Sequence, residues 1–391
     1  MRKFSLLIFV FVLFSCQNND TIGNDEYQAI EATFGNSLPI INPLNYANQS
    51  VPNYITKDNG INNPINDKVA TLGRVLFYDK NLSSNNTISC ASCHKQEFAF
   101  SDTSQASLGV NGSTGRHSMR LVNNRFSSEM KYFWDERAST LETQTTMPIK
   151  DHGEMGFSGE NGDPTFDDLL IKLEAIDYYN ELFEYAYGSN EISESKIQTA
   201  LAQFIRSIQS FDSKYDTGRV SAPNDAAPFT NFTAEENQGK QLFLAPPQFN
   251  ANGSRTGGGL GCAGCHRAPE FDIDPNSLNN GVVGVIGSTG IVDLTNTKSP
   301  SLRDLENPQG IANGPFMHNG NFNTLQQAIG HYNTIVIAPG NNNIDPRLTP
   351  SGNPQQLNLT ATEINAVIAF LRTLKGNDVY TNEKWSNPFP N

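Results

Sequence analysis

The feature that most constrains this chain is a short pattern that occurs twice. "ISCASCHKQE" (88–97) sets Cys90, Cys93 and His94 in the order Cys-x-x-Cys-His, and "GLGCAGCHRA" repeats that order at Cys262, Cys265 and His266. This is the attachment pattern of a c-type haem. Two thioethers must reach the two vinyl groups of one porphyrin, and the next residue must swing its imidazole under the iron. Rival uses fit less well. A structural zinc ribbon keeps its cysteine pairs roughly 15–20 residues apart, whereas these lie in different halves of the chain. A thioredoxin-like pair wants a βαβ context, and neither run follows a strand-like segment. The two runs use four of the five cysteines, all but Cys16 at the end of the N-terminal leader run. They predict two covalent haems, with His94 and His266 as proximal ligands.

Two bulky apolar cofactors also account for a lean composition. Only 37% of the 391 residues are hydrophobic, which excludes a multi-pass membrane protein and leaves a modest protein core. The 31 glycines and 21 prolines concentrate in stretches such as 48–67 and 220–232, which read as loop and linker between short helices. A net charge of −13 argues against nucleic acid as a partner. It suits a small basic electron carrier.

The N-terminus carries Arg2 and Lys3, then an apolar run from Phe4 to Phe14, then Ser15 and Cys16. That run is too short for a stable transmembrane anchor and reads as a secretory signal over 1–15. "LFSC" (13–16) is similar to a lipobox, in which cleavage frees a cysteine for lipid, so the expected address is the periplasm or cell envelope, with Cys16 as the membrane tether. An ordinary signal with an incidental cysteine is the alternative. Residues 16–65 read as a tether and N-terminal extension, polar and disordered at least over 17–28.

The halves echo each other ahead of the cysteines. "LGRVLF" (72–77) and "QGKQLF" (238–243) share Gly-[Arg/Lys]-x-Leu-Phe, as in a duplicated cytochrome c unit. "LTATEINAVIAFLRTLKG" (359–376) has apolar residues at Ile364, Val367, Ile368 and Leu371, one face of a helix. Thr360 and Glu363 form its capping box, and Gly376 is its expected stop. Residues 193–216 have similar spacing and are expected to close the first domain. The predicted fold is mainly α: two cytochrome c-like haem domains in tandem, over 66–230 and 231–391.

An electron-transfer cytochrome keeps both irons fully ligated by protein, whereas a peroxidase leaves one position open beside an acid–base group. Six segments in order, "LGRVLFYDKNLSS…ISCASCH", "FWDERASTLETQ…MPI" (133–149), "EMG" (154–156), "SPSLRDL" (299–305), "PFMHNG" (315–320) and "LTATEINAVIAFLRTLKG", resemble the bacterial di-haem cytochrome c peroxidases and their MauG-like relatives. The likeness runs from about residue 66 to 376. It implies that hydrogen peroxide meets the haem on His94, that Glu154 is the distal carboxylate that moves a proton between the peroxide oxygens, and that Trp134 lies between the haems as an electron relay. Electrons are then expected from a small cytochrome or another reductant. Gln144 sits on a matching stretch with no direct role expected.

Two departures from the family pattern matter. Members that need reductive activation carry a distal histidine in the loop matching 106–121, where this chain has Leu108, Gly109 and Val110. The first histidine there is His117, at the place of an asparagine that helps bind calcium between the domains in relatives. The N-terminal iron is therefore expected to be open at rest, and an interdomain calcium ion is left open, as is His117 acting as the distal ligand through a loop shift. On the C-terminal haem, the position of the usual axial methionine falls on Tyr332, the residue type found in MauG-like enzymes. His331 and Met317 are the rivals. A phenolate favours ferric or higher-valent iron, whereas a thioether favours ferrous. The expected function is an exported peroxidase. A MauG-like oxidase acting on a protein partner and a non-catalytic electron-transfer cytochrome are the alternatives.

Overall fold

The protein, described by a computed structural model over residues 27–128, 130–273 and 277–390, is mainly helical. The leader and Cys16 lie outside the described residues. In chain order the helices are α1 (Gln28–Phe34), α2 (Asp67–Tyr78), α3 (Cys90–Cys93), α4 (Leu141–Thr146), α5 (Phe166–Glu174), α6 (Asp177–Tyr187), α7 (Glu194–Ser207), α8 (Lys214–Ser221), α9 (Ala234–Leu244), α10 (Leu325–Asn333) and α11 (Ala361–Arg372). Two antiparallel pairs supply the named strands among the described residues: β1 (Pro247–Phe249) with β2 (Arg255–Gly258), and β3 (His266–Arg267) with β4 (Asp272–Ile273). The β1–β2 hairpin stands just ahead of Cys262, where the sequence showed no strand. Its strands, Pro-Gln-Phe and Arg-Thr-Gly-Gly, are too short to give a run of alternating apolar residues.

The duplication seen in the sequence is a helix crossing made twice. In the first half α2 crosses α7, and a Cβ on Gly73 would stand 2.0 Å from the Ala200 carbonyl oxygen and 2.8 Å from Phe204 Cβ. In the second half α9 crosses α11, and a Cβ on Gly239 would stand 1.8 Å from the Ala366 carbonyl oxygen and 2.9 Å from Phe370 Cβ. Four residues past each glycine a phenylalanine meets the partner helix, Phe77 on Phe204 at 5.1 Å and Phe243 on Phe370 at 5.3 Å between ring centroids. The Gly-x-x-Leu-Phe motif is thus a contact rule: no side chain at the crossing, and an aromatic one turn later.

Helix ends follow local chemistry. Asn66 caps α2 through the backbone N–H groups of Lys68 and Val69. The capping box at Thr360 and Glu363 forms as expected. Gly376 does not end α11. The cap is Thr373, and Gly376 instead lies against Asp212, whose Oδ1 would stand 2.1 Å from a Cβ there.

Two hydrophobic clusters divide the chain less simply than the order of motifs suggests. The first holds Val75, Leu76, Phe77, Leu201 and Phe204 and also takes Ile30, Phe34, Leu38 and Tyr46 of the N-terminal extension. Gln28 already begins α1, whose first N–H groups at Ala29 and Ile30 donate to the Glu181 carboxylate. The second cluster holds Phe243, Phe271, Val367 and Phe370, together with Tyr215 and Phe229, which the sequence reading placed in the first domain. After α11 the tail returns to the first cluster through Val379 and Trp385. There the Trp385 indole N–H donates to Ser207 Oγ (3.2 Å), and Arg74 Nε donates to the Ser386 carbonyl (2.6 Å). Between the clusters Arg303, fully buried, forks onto both oxygens of Asp216 at 2.9 Å. Fork geometry and burial make this one of the stronger kinds of ion pair.

Replacing Gly73 or Gly239 with alanine forces its helix pair apart, and the expected cost is about 1–3 kcal/mol, as for other overpacked sites. Thermal unfolding of the two variants checks this. A midpoint equal to that of the parent protein would show that the crossing has slack.

Candidate haem sites and the junction between them

The first haem-attachment run is a single helical turn, α3, with a capping box between Ser89 and Ser92 at its start. His94 caps the helix at φ −115° and ψ 78°, and its Nδ1 faces the Phe100 carbonyl at 3.1 Å. That carbonyl is turned back by two residues with positive φ, Ala99 at 55° and Phe100 at 61°. A proton on Nδ1 leaves Nε2 as the free lone pair, the tautomer an iron ligand needs. Burial also pushes His94 below the usual histidine pKa, which keeps the ring neutral. The second run follows Gly261, at φ +74°, as one turn of 3₁₀ helix, and burial pushes His266 down to about 4. The Pro300 carbonyl opposes that shift, and His266 Nδ1 has no hydrogen-bond partner among the described residues.

All four motif cysteines are free thiols rather than disulfides. Cys90, Cys93 and His94 line one cavity of about 720 Å³, within the usual range of cofactor sites. Free cysteine pairs, neutral buried histidines and a cavity of this size fit a covalently attached haem.

The same cavity is lined by Glu154. Its loop is clamped to the 108–113 loop: Val110 N–H donates to the Glu154 carbonyl (2.9 Å), Asn111 N–H donates to the Gly153 carbonyl (3.2 Å), and a Cβ on Gly109 would stand 2.1 Å from that same carbonyl oxygen. The stretch where activation-dependent relatives carry a histidine is therefore the support of Glu154, and Gly109 permits its close approach. Burial, with Asp151 adding to it and Arg137 opposing, lifts the Glu154 carboxyl to about 7. A carboxyl at that value is poised to take and return a proton near neutral pH. Gln144 also lines the cavity.

Where the halves meet, Trp134 is 8% exposed and also lines the cavity. Its indole N–H donates to the His117 carbonyl (2.7 Å), the His117 N–H donates to the His318 carbonyl (2.7 Å), and the Trp134 carbonyl accepts from Lys298 N–H (2.8 Å). The His117 ring is occupied by protein, with Nδ1 3.0 Å from the Ser104 carbonyl and Nε2 3.4 Å from Ser101 Oγ. It is not free to serve as a distal ligand, and its side chain offers no oxygen to a calcium ion. Arg116 ties the same seam to the second half, pairing with Asp135 (2.8 Å) and Asp293 (2.6 Å).

The segment "PFMHNG" runs between the two haem sites. His318, 3% exposed, lines the first cavity with its ring 6.3 Å from that of Trp134, and neither ring nitrogen has a hydrogen-bond partner among the described residues. Its neighbour Met317, at φ +68°, faces the second site. There Asn280 Nδ2 lies 3.7 Å from Met317 Sδ and 3.4 Å from Tyr332 Oη. Burial and then Cys265 push the Tyr332 phenol up, which places it beside the second attachment run. His331 commits Nε2 to the Asn280 carbonyl (2.9 Å). Tyr332 and Met317 therefore share one amide donor, and His331 is held aside. His318 and Asn280 had no role in the sequence reading. His318 lay inside a recognised motif, whereas nothing local marks Asn280.

Comparison with known proteins agrees with this arrangement. The family model for di-haem cytochrome c peroxidase matches residues 67–221. A methylamine utilization protein MauG of Methylophilus methylotrophus is 30% identical over 328 residues, covering 81% of this chain and 85% of that protein. A cytochrome c551 peroxidase of Nitrosomonas europaea is 28% identical over 325 residues, covering 80% of this chain and 81% of that protein. Among solved structures, a MauG-like protein associated with microbial copper homeostasis superposes with a TM-score of 0.64 at 27% identity, covering 87% of this chain and 99% of that one. With its two haem-attachment runs and its helical halves, the chain belongs to the di-haem cytochrome c peroxidase and MauG family.

Proposed function

We propose that the protein is an exported peroxidase that reduces hydrogen peroxide to water with electrons from a small cytochrome c or a similar donor. The observation that carries this reading is Glu154: a carboxyl lifted toward neutrality, lining the cavity of His94, on a loop whose support contains no histidine. Haem, when bound, supplies the redox equivalents. The chain's own residues supply the rest. His94 offers Nε2 to the iron with its tautomer set by the Phe100 carbonyl. Glu154 accepts the proton of the incoming peroxide and returns it to the departing oxygen. Two electrons and two protons then convert one peroxide into two waters. The relay role falls to Trp134, a reading supported by its place in the first cavity, 6.3 Å from the ring of His318, whose neighbour Met317 faces the second site.

A second reading, a MauG-like oxidase that acts on a protein partner, is favoured by Tyr332, whose hydroxyl stands beside the second attachment run. Replacement of Tyr332 by methionine discriminates. If the phenol is the sixth ligand, a thioether in its place raises the reduction potential of the C-terminal haem and speeds electron uptake from reduced cytochrome c. An unchanged potential in a spectroelectrochemical titration would remove Tyr332 from the ligand set.

Glu154→Gln is expected to keep both haems and to lower peroxide turnover by ~10²–10⁴, the usual worth of a positioned acid–base group. The pH profile adds a second readout. Glu154 acts first as a base, and its carboxylate form accumulates above its pKa, so kcat/KM falls as pH falls through about 7. The variant's residual activity should lack that acid limb. Retained turnover, or a limb that persists in the variant, would assign the proton transfer elsewhere.

A further inference from the structure

Beside Glu154 stands a guanidinium that the assignments above leave unused. Arg137 lines the 720 Å³ cavity with Glu154, and the same two residues line an adjoining cavity of about 260 Å³ together with Met147, Pro148, Lys150 and Asp151. The side chain of Arg137 is 42% exposed, so the guanidinium reaches solvent where it lines both cavities.

Arg137 is held there from two directions. Its Nη1 donates to Asp135 Oδ1 at 2.8 Å, and its Cζ lies 3.5 Å from the centroid of the Phe133 ring, the contact distance of a stacked cation. Phe133 itself sits at φ +69°, a conformation that persists for a bulky residue only when its surroundings impose it. The other oxygen of Asp135 binds Arg116, which reaches across to Asp293. The guanidinium is thus anchored through the seam between the halves. It pairs with Asp135 and not with Glu154, although both line the same two cavities. A fixed cation and a proton-accepting carboxyl face one space without closing on each other.

A ligand for such a space is small, carries an acidic proton for the carboxyl, and becomes an anion for the cation once the proton is given up. We infer that Arg137 is the substrate-binding cation of the distal face, donating a guanidinium N–H to hydrogen peroxide and holding the hydroperoxide charge that appears as Glu154 takes the proton. The proton passes from the peroxide oxygen to the Glu154 carboxylate, and the net charge of the group is unchanged. This rests on the reading of Glu154 as the acid–base residue. It adds that the peroxide path passes between Arg137 and Glu154, and that Asp135 positions the guanidinium.

The test is fluoride binding to the full-length, haem-loaded ferric protein at neutral pH, read by its absorption change, with neutral imidazole as control, for the parent protein, Arg137→Met and Arg137→Lys. The parent protein should bind fluoride. Arg137→Met should bind it roughly tenfold to a hundredfold more weakly, the worth of one hydrogen bond from a charged donor, with imidazole affinity unchanged and the KM for peroxide raised. Arg137→Lys, which keeps the charge without the fork, should fall between. Equal fluoride affinity in the parent protein and Arg137→Met would overturn the assignment of Arg137 and leave Glu154 untouched. A parent protein that takes up no fluoride would overturn both, because no iron would then be open beside Glu154. Should Arg137→Met fail to load haem, Arg137→Gln carries the same comparison.

Discussion

Both halves rest on one contact, a helix crossing so close that a carbonyl oxygen occupies the space of a missing Cβ. Gly73 on Ala200 and Gly239 on Ala366 set that distance. Nothing larger than glycine fits at either crossing, so the interhelical geometry is determined there rather than by the average bulk of the core. The phenylalanine pairs one turn on then lock the rotation. Each crossing belongs to the half whose loops carry one Cys-x-x-Cys-His run, so the duplicated contact comes with a duplicated cofactor site.

The two sites are made unequal by what fills the space around the repeated frame. The first half places a carboxyl with a pKa lifted to about 7 in the cavity that His94 lines. The second crowds a phenol, a thioether and an asparagine amide together beside its own attachment run. Between them lie Trp134, with its indole N–H on the His117 carbonyl, and the consecutive residues Met317 and His318, which face different sites. The buried Arg303–Asp216 fork holds the segments around this seam in register, and its geometry answers the desolvation cost that would make a looser buried pair unfavourable.

Much of this was legible in the sequence wherever the signal is local. The attachment runs, the glycine motif and the capping box at Thr360 each span a few residues, and each forms as its chemistry requires. Gly376 was misread because a glycine after a helix has two uses, and only the fold shows that Asp212 occupies the space of its Cβ. The return of Trp385 to the first core and the place of Tyr215 and Phe229 in the second were hidden, since their partners lie far away along the chain. Arg137 had no role in the sequence, because the ring and carboxylate that aim it acquire their meaning only once Glu154 stands beside it. Tyr332 and Met317 were both visible as candidates. Asn280, which touches each of them, was not, because it comes from a loop with no motif of its own.

In the proposed peroxidase one iron is open on the side of Glu154, while the other would be closed by Tyr332 or Met317. Low-temperature electron paramagnetic resonance of the all-ferric, haem-loaded protein, before and after cyanide, tests it most directly. The account predicts one high-spin and one low-spin haem, with cyanide converting the high-spin signal alone. Two low-spin signals that cyanide leaves unchanged would contradict it and point to a protein that only transfers electrons.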